Sequence, residues 1–574
     1  MVIILITWIW MLICSYLWGY GAIKVINKIL GRENDISLDY IVILGVGVLA
    51  IYAEYLSLVS GIGLLANIGL LAVDILVIVL FKNELVVRIR NVITRKNFVL
   101  YVLLIIVATW ISMTYMFELV TYDTGLYHSQ AIQWIEEYGV VKGLGNLHHR
   151  FAYNSALMCL QALFSMRFAF GQQLHCVSGF MLIVYMTYAI ASMKFLRYKK
   201  VFVSDFVRIA FFVYFTMDVS FSSEGSDLIS LWLVIYLTIR FIEGIEEDVS
   251  EADYYVYISF LALIAISFKL SAAMIILIVI YPAYILIRDK KWSEIIKLIL
   301  TGLFLTLPFL IRNVLISGYI VYPMAKLDIF NFDWEMNRYV CLWDAKEIRS
   351  WGQGVCDANL SPTFREWYEI WNSRLEPANK RLFYSAIVTS VILVFASIVS
   401  FIKSKDLRKP VASVTIMAML IYWFMGAPLM RYGVVFTVIP VLTFVGMVIV
   451  LIQNRFEKIA IVGIIVIVLF SGSRIKSLTS HAAGFRLSND IIFNQVGFEP
   501  FEFTKAEFDG YDMYIPENGD RIGNRAFPST PYIPNLSLIE LRGDDFSDGF
   551  RVKDEYKDTS FNTYGGFIDP EIVE

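Results

Sequence analysis

Charge is scarce in this chain. Only 17% of its 574 residues are Asp, Glu, Lys or Arg, against about 25% in ordinary soluble domains, and the net charge is -3. So small a balance excludes the basic surface of a nucleic-acid binder and gives no reason to expect a strongly charged partner. Cysteine is scarce too, with five residues. Cys14, Cys159 and Cys176 stand in or beside apolar segments, where a thiol behaves as a small hydrophobe. Cys341 and Cys356 share one long polar connection, where an oxidising compartment would permit a disulfide; the sequence leaves the geometry open. No Cys/His spacing resembles a metal site. A Walker-type phosphate loop, a dinucleotide fingerprint, tandem repeats and low-complexity tracts are all missing, which argues against a nucleotide-driven machine.

What the chain has in abundance is apolar surface. Hydrophobic residues make up 58% and aromatics 15%, and the mean hydropathy is +0.64. A chain of this composition is an all-α polytopic membrane protein, with the bilayer rather than water as its main solvent. A hydrocarbon core of ~30 Å needs about 20 apolar residues per helix. Fourteen stretches qualify, near 2–20, 40–58, 62–81, 98–117, 174–193, 205–220, 227–242, 254–268, 271–287, 298–316, 382–402, 411–427, 433–453 and 458–473. The first has no basic residue before it and no small-residue cleavage site after it, so it reads as an anchor rather than a signal peptide.

Basic residues set the orientation. Lys24, Lys28 and Arg32; Lys82, Arg88, Arg90, Arg95 and Lys96; Lys194, Arg197, Lys199 and Lys200; Arg288, Lys290 and Lys291; and Lys403, Lys405, Arg408 and Lys409 occupy alternate connections, which are therefore cytoplasmic. The acidic connection 243–253 falls on the same side, an exception that carries little weight in this rule. The connection after 98–117, the turn 220–227, the loop 317–381 and the tail 474–574 then lie outside. The organisation expected is N-terminal membrane helices over 1–97, a membrane core over 98–473 with outer loops 118–173 and 317–381, and an extracytoplasmic α/β or β-rich unit over 474–574. In the loop 317–381, Trp334, Trp343, Trp351, Trp367 and Trp371 suit a membrane–water boundary or stacking on sugar rings, and packing alone explains most of them.

The polar, aromatic and His-rich stretch Tyr122 to Ser155 carries the functional signal. Tyr127, Ala131, Trp134 and Tyr138 recur at helical spacing with polar residues opposite, predicting an amphipathic helix lying in the interface. Gly139, Gly143 and Gly145 break it, and a second short helix is expected from Asn154 to Phe164. Asp123 sits where a carboxylate faces water and lipid headgroups together, although with Thr124 it could be only an N-cap. Lys269, Arg312 and Arg431 fall on the same face; the alternatives for them are snorkelling for Lys269 and helix-end capping for Arg312–Asn313 and Arg431. His148, His149 and Arg150 are either solvated or donors to phosphate or sugar, and Asp227 reads first as a helix-start acid.

The order of these parts resembles the GT-C class of integral-membrane glycosyltransferases, and in particular a bacterial branch of polytopic proteins in that class. The motifs are DTGLYH from Asp123, GNLHHR from Gly145, FKLSA from Phe268, Arg312-Asn313 with Ser317-Gly318 and Tyr322-Pro323, and LRGDDFSDGF from Leu541. The likeness spans roughly 98 to 450 and is strongest at 122–155 and 311–323. This chain departs from the best-known members in having three membrane helices before the Asp loop and a single acid there rather than an Asp-Glu pair. The resemblance implies an inverting transferase in a bacterial plasma membrane, with its active site on the extracytoplasmic side. It would take a sugar from a polyprenyl-phosphate carrier to an acceptor glycan, lipid or protein, with no cofactor and no divalent metal. Asp123 would be the catalytic base, with Tyr127, His128, His148, His149, Arg150, Asn154, Asp227, Lys269, Arg312, Asn313 and Arg431 binding substrate.

Two acids inside apolar stretches, Glu54 and Asp74, point elsewhere, since charge in lipid is costly and marks a pathway. They make a transporter or flippase of a lipid-linked glycan the alternative, although no inverted repeat or pair of broken helices accompanies them. A third reading is a non-catalytic component of envelope-glycan assembly.

Overall fold

The computed structural model describes residues 1–573 apart from 32, 34, 35, 93–97, 115–120, 217–222 and 483–500. Arg32, Arg95, Lys96 and the ends of the expected 98–117 and 205–220 spans lie outside the described residues. Helices α1 (Val2–Leu30), α2 (Leu38–Ser57), α3 (Leu64–Val92) and α4 (Phe98–Thr114) precede the His-rich loop. That loop and its continuation hold α5 (Ser129–Tyr138), α6 (Leu144–Leu147), α7 (Ala156–Phe164) and α8 (Arg167–Phe170). Then come α9 (Val177–Ala191), α10 (Lys194–Tyr198), α11 (Val203–Thr216), α12 (Asp227–Glu246) and α13 (Ala252–Phe268). A 3-10 run, Leu270–Val279, leads into α14 (Ile280–Arg288), followed by α15 (Trp292–Ser317). The long connection contains α16 (Arg338–Gln353) and α17 (Phe364–Arg374), and α18 (Pro377–Ser404), α19 (Arg408–Gly426) and α20 (Met430–Ala482) complete the helical part.

Among the described residues, ten helical segments are long and apolar enough to cross a membrane: α1, α2, α3, α9 with α10, α12, the 3-10 run with α14, α15, α18, α19 and Met430–Ile452 of α20. The other four stretches of the expected fourteen are also helical. The described parts of α4 and α11 have 17 and 14 residues and adjoin residues outside those described, while α13, with 17 residues, is short of the ~20 that a straight crossing needs. The fourth, 458–473, continues α20 without the expected break, because Gln453 to Lys458 contains neither Gly nor Pro to end a helix.

Small residues set the closest helix contact. A Cβ on Gly19 would come within 1.8 Å of the Ile41 carbonyl oxygen, and one on Gly45 within 1.7 Å of that of Ser15, so α1 and α2 meet backbone to backbone. Polar connections segregate to two faces. On one, Lys24 pairs with Glu84, Lys194 with Glu246 and Glu247, and Arg408 with Asp248. Residues 243–253 can be acidic on this basic face because Lys194, Arg208, Arg240 and Arg408 neutralise them.

The opposite face carries the His-rich loop, α16, α17 and a C-terminal unit. In that unit β1 (Phe503–Phe508) runs antiparallel to β2 (Tyr511–Pro516) through an Asp509-Gly510 turn with both residues at positive φ, and α21 (Ile533–Leu538) leads into β3 (Ile539–Leu541), paired with β4 (Phe550–Val552). Its core is shared. Phe508, Met513, Ile515, Ile539 and Phe550 bury against Trp134, Leu144, Leu147, Phe151, Tyr319 and Met336 of the loops. Backbone joins them as well, Phe550 N–H donating to Lys142 O at 2.9 Å, while Gly143 N–H ties the loop to Leu315 O of α15 at 2.8 Å.

This arrangement corrects the expectation that α5 lies in the lipid interface. Its Ile132 and Ile135 face the membrane bundle while Trp134 faces the C-terminal unit, so both sides are covered by protein. Part of its polar side pairs within the protein: Gln130 donates to Ala526 O at 2.5 Å, and Gln173 donates to Glu136 at 2.6 Å. The second short helix forms as α7, its N-cap Ser155 accepting from Leu157 N–H. Of the loop tryptophans, Trp343, Trp367 and Trp371 are buried in packing, Trp334 stacks on Phe332, and Trp351 is exposed. Cys341 is buried and Cys356 exposed, and both are free thiols.

The sidedness can be tested directly. In a Cys356→Ser background, which removes the exposed native thiol, cysteines at Lys142 and Asn518 are expected to react with an impermeant reagent on intact cells, and one at Lys403 to react only after lysis. Labelling of Lys403 alone from outside would invert the orientation.

Candidate functional site

Four charged residues from four separate connections meet on the face that carries the C-terminal unit. Asp123 follows α4, Asp227 opens α12, Lys269 fills the break between α13 and the 3-10 run, and Arg431 stands in the first turn of α20. Arg431 Nη2 donates to Asp123 Oδ2 at 2.7 Å, and its Nε lies 3.5 Å from Asp227 Oδ2. Lys269 Nζ closes the set by pairing with the other oxygen of Asp227. Tyr432 lies beneath the cations, its ring centre 4.7 Å from Lys269 Nζ and 5.0 Å from the Arg431 guanidinium, and its hydroxyl accepts from Arg431 at 3.2 Å.

Local geometry puts Asp123 there. Thr124 to His128 form a single π-type turn in which Ser129 N–H reaches back to Thr124 O, a widened turn that recurs at functional sites. Asp123 makes no side-chain capping bond, so the N-cap alternative does not hold; its carboxylate is turned to Arg431 instead. Burial alone would raise the Asp123 carboxyl, but Arg431, by its charge and its hydrogen bond, together with His128 and Arg150 holds the group below its usual value. The carboxylate is therefore ionised at neutral pH.

A buried polar group backs the turn. Thr124 Oγ1 donates to Glu224, whose other oxygen is 3.1 Å from His175 Nδ1, and burial holds both His128 and His175 below the usual imidazole value, against the pull of Glu224. The C-terminal unit clasps the turn from outside. Ile522 and Gly523 N–H both donate to Gly125 O at 2.8 Å, and the Tyr122 hydroxyl donates to Asp520.

The remaining expected site residues fall into two other sets. Arg312 is buried, donating to Asn154 Oδ1 at 3.1 Å and to Ser57 Oγ, with Asn313 buried beside it; Asn154 in turn donates to Phe309 O. That set positions the start of α7, and the cation beside Asp123 is Arg431 rather than Arg312. His148, His149 and Arg150 pack against the C-terminal unit. His148 Nδ1 accepts from Arg150 N–H at 3.2 Å, Arg150 donates to the Tyr532 hydroxyl at 2.9 Å, and His149 lies parallel to the Tyr532 ring. Tyr127 joins the sets, its ring edge-on to both His128 and Tyr153. Sequence reasoning missed Glu224, His175 and Tyr432, although Glu224 stands three residues before Asp227 and Tyr432 directly follows Arg431.

The two acids in apolar stretches differ in their surroundings, and among the described residues the Glu54 carboxylate has no hydrogen-bond partner. Asp74 accepts from Cys14 Sγ at 3.2 Å, and Glu54 is fully buried, its carbonyl oxygen accepting from the same Ser57 hydroxyl that Arg312 holds.

A family model described as "Domain of unknown function (DUF8201)" matches residues 1–438, a region that contains Asp123, Asp227, Lys269 and Arg431 and stops short of the C-terminal unit. No curated protein and no solved structure matches the chain.

Proposed function

We propose that this chain, which belongs to the DUF8201 family, is a GT-C-like inverting glycosyltransferase that moves a sugar from a polyprenyl-phosphate donor to an acceptor glycan, lipid or protein on the outer face of a bacterial plasma membrane. The observation that carries this reading is the meeting of Asp123 with Arg431, Asp227 and Lys269 where helices from distant parts of the chain end.

Asp123 accepts the proton of the acceptor hydroxyl as its oxygen attacks the anomeric carbon. The bond from that carbon to the phosphate oxygen breaks, and the electron pair leaves with the lipid phosphate. Lys269 and Arg431 meet the charge that accumulates there. In the free protein each cation is engaged by a carboxylate, so a phosphate entering the site displaces Asp123 from Arg431 and leaves it free to act as base. Burial and the neighbouring Arg431 lower the Lys269 ammonium to about 7, and its pairing with Asp227 places it.

Charge-assisted hydrogen bonds contribute ~1.5–3 kcal/mol each, so Arg431→Gln and Lys269→Gln should each raise KM for the lipid-linked donor by ~10–100-fold in an inserted protein. Arg431→Gln should also move the acid limb of the pH–rate profile upward, because the cation holding Asp123 below its usual value is gone. Unchanged donor use by the double variant would remove both cations from the site. Mass spectrometry of surface glycans and lipid-linked sugars, in cells with and without the protein, tests the function itself. A donor that accumulates while one glycan loses a sugar supports it; an unchanged profile opposes it. A lipid-linked glycan stranded on the inner face would favour the flippase alternative.

A further inference from the structure

Away from the charged quartet, three buried side chains with metal-ligand chemistry converge beneath the C-terminal unit. His149 opens a short 3-10 turn, His149–Ala152, and Asp344 and Glu347 are three residues apart on α16, which places them on one helix face. All three are buried, and one donor atom from each lies within 4.8 Å of the others, His149 Nε2 being 3.8 Å from Asp344 Oδ1. We propose that His149, Asp344 and Glu347 bind a divalent transition-metal ion, Zn2+ or Mn2+, that fastens the His-rich loop to α16 beneath the C-terminal unit.

A second observation points the same way. Among the described residues, neither ring nitrogen of His149 nor Oδ2 of Asp344 has a well-formed hydrogen bond, although the Thr563 backbone and the Tyr322 hydroxyl stand near them. Leaving such groups poorly paired costs about 1–3 kcal/mol each, and an ion would take up His149 Nε2 and a carboxylate oxygen of Asp344, leaving Nδ1 to the surrounding backbone. A tetrahedral ion with bonds of ~2.0–2.2 Å holds its ligands roughly 3.4 Å apart, so side-chain shifts of about 1 Å complete the site. Mixed imidazole and carboxylate donors suit Zn2+ and Mn2+ better than Mg2+ or Ca2+.

The surroundings orient the carboxylates. Tyr153 donates to Asp344 Oδ1 at 2.6 Å, and from the C-terminal unit Thr563 donates to Glu347 Oε2 at 3.3 Å and Tyr564 to Oε1. Arg150 Nη2 stands 3.9 Å from Glu347 Oε1 and shares that acid's charge. Because Glu347 already takes hydroxyls from Thr563 and Tyr564, an ion on its carboxylate links three separate parts of the chain. The site plays no part in the proposed sugar transfer and stands or falls apart from it.

The test uses the full-length, tag-free protein in detergent. It is incubated with Zn2+ or Mn2+, passed into metal-free buffer and assayed by inductively coupled plasma mass spectrometry. About one retained ion per chain is expected, falling to about a tenth or less in Glu347→Gln and in His149→Gln, with a melting temperature raised by the ion only in the wild type. If His149→Gln does not fold, the wild-type stoichiometry and Glu347→Gln decide. A folded wild type that retains neither ion, or a Glu347→Gln protein that retains a full equivalent, overturns the site.

Discussion

Asp123→Asn is expected to insert and fold normally and yet to transfer sugar at least ~100-fold more slowly in proteoliposomes supplied with a lipid-linked donor. The substitution keeps the size of the side chain and a carbonyl oxygen for Arg431 but removes the basic carboxylate. It breaks no cap, because Asp123 makes none, and the ion pair it loses is half open to solvent on the Arg431 side, where such pairs contribute little to stability. General-base assistance contributes typically ~10²–10⁴-fold, or ~3–5 kcal/mol of barrier. Asp74→Asn, whose carboxylate faces Cys14 instead, should change transfer far less. Wild-type transfer by Asp123→Asn together with loss of function in Asp74→Asn would replace the transferase reading with a transporter.

The second large effect is structural. Trp134→Ala should destabilise the seat of the C-terminal unit by about 3–5 kcal/mol, the usual cost of removing a buried indole. Trp134 is 0% exposed, with the rings of Phe527, Tyr138, Phe550 and Phe546 at 4.8, 5.4, 5.9 and 6.0 Å. The indole N–H has no partner to lose, so the cost is packing and cavity alone. Limited proteolysis should release fragments from 501–573 while the membrane helices stay intact. Trp351→Ala, at a residue 57% exposed, serves as the control and should stay within ~0.5 kcal/mol of wild type. Equal protease resistance and melting in the two variants would mean that the shared core does not hold the unit in place.

The helical membrane class was legible because apolar runs near 20 residues have no other stable use. The quartet was legible in part because the alternation of basic clusters had already put Asp123, Asp227, Lys269 and Arg431 on one face. Which cation sits beside Asp123 was not legible: Arg312 and Arg431 are each the outermost cation of an apolar stretch, and only the packing of α15 against α2 and the 3-10 turn His149–Ala152 turns Arg312 toward Ser57 and Asn154. The environment of α5 was misjudged for a related reason. An amphipathic helix advertises two different faces, but not whether the second meets lipid or a domain some 400 residues later. His149 and Asp344 stand too far apart in sequence for any ligand spacing to reveal them.

That distance has a consequence for how the protein is made. Asn146 and Phe550, in contact in the finished structure, are 404 positions apart. At a synthesis rate of roughly 5–20 residues per second the ribosome needs about 20–80 s to travel between them. Throughout that interval the side of α5 bearing Trp134 lacks the cover that Phe527, Phe546 and Phe550 give it, and the Gly125 carbonyl awaits the two N–H groups that clasp it. A nascent chain can thus have all its early helices in the bilayer while the Asp123 turn is unfinished, exposed to chaperones and proteases. Only the synthesis of residues 501–573 supplies the groups that close it, so the turn is completed after the membrane helices have been made.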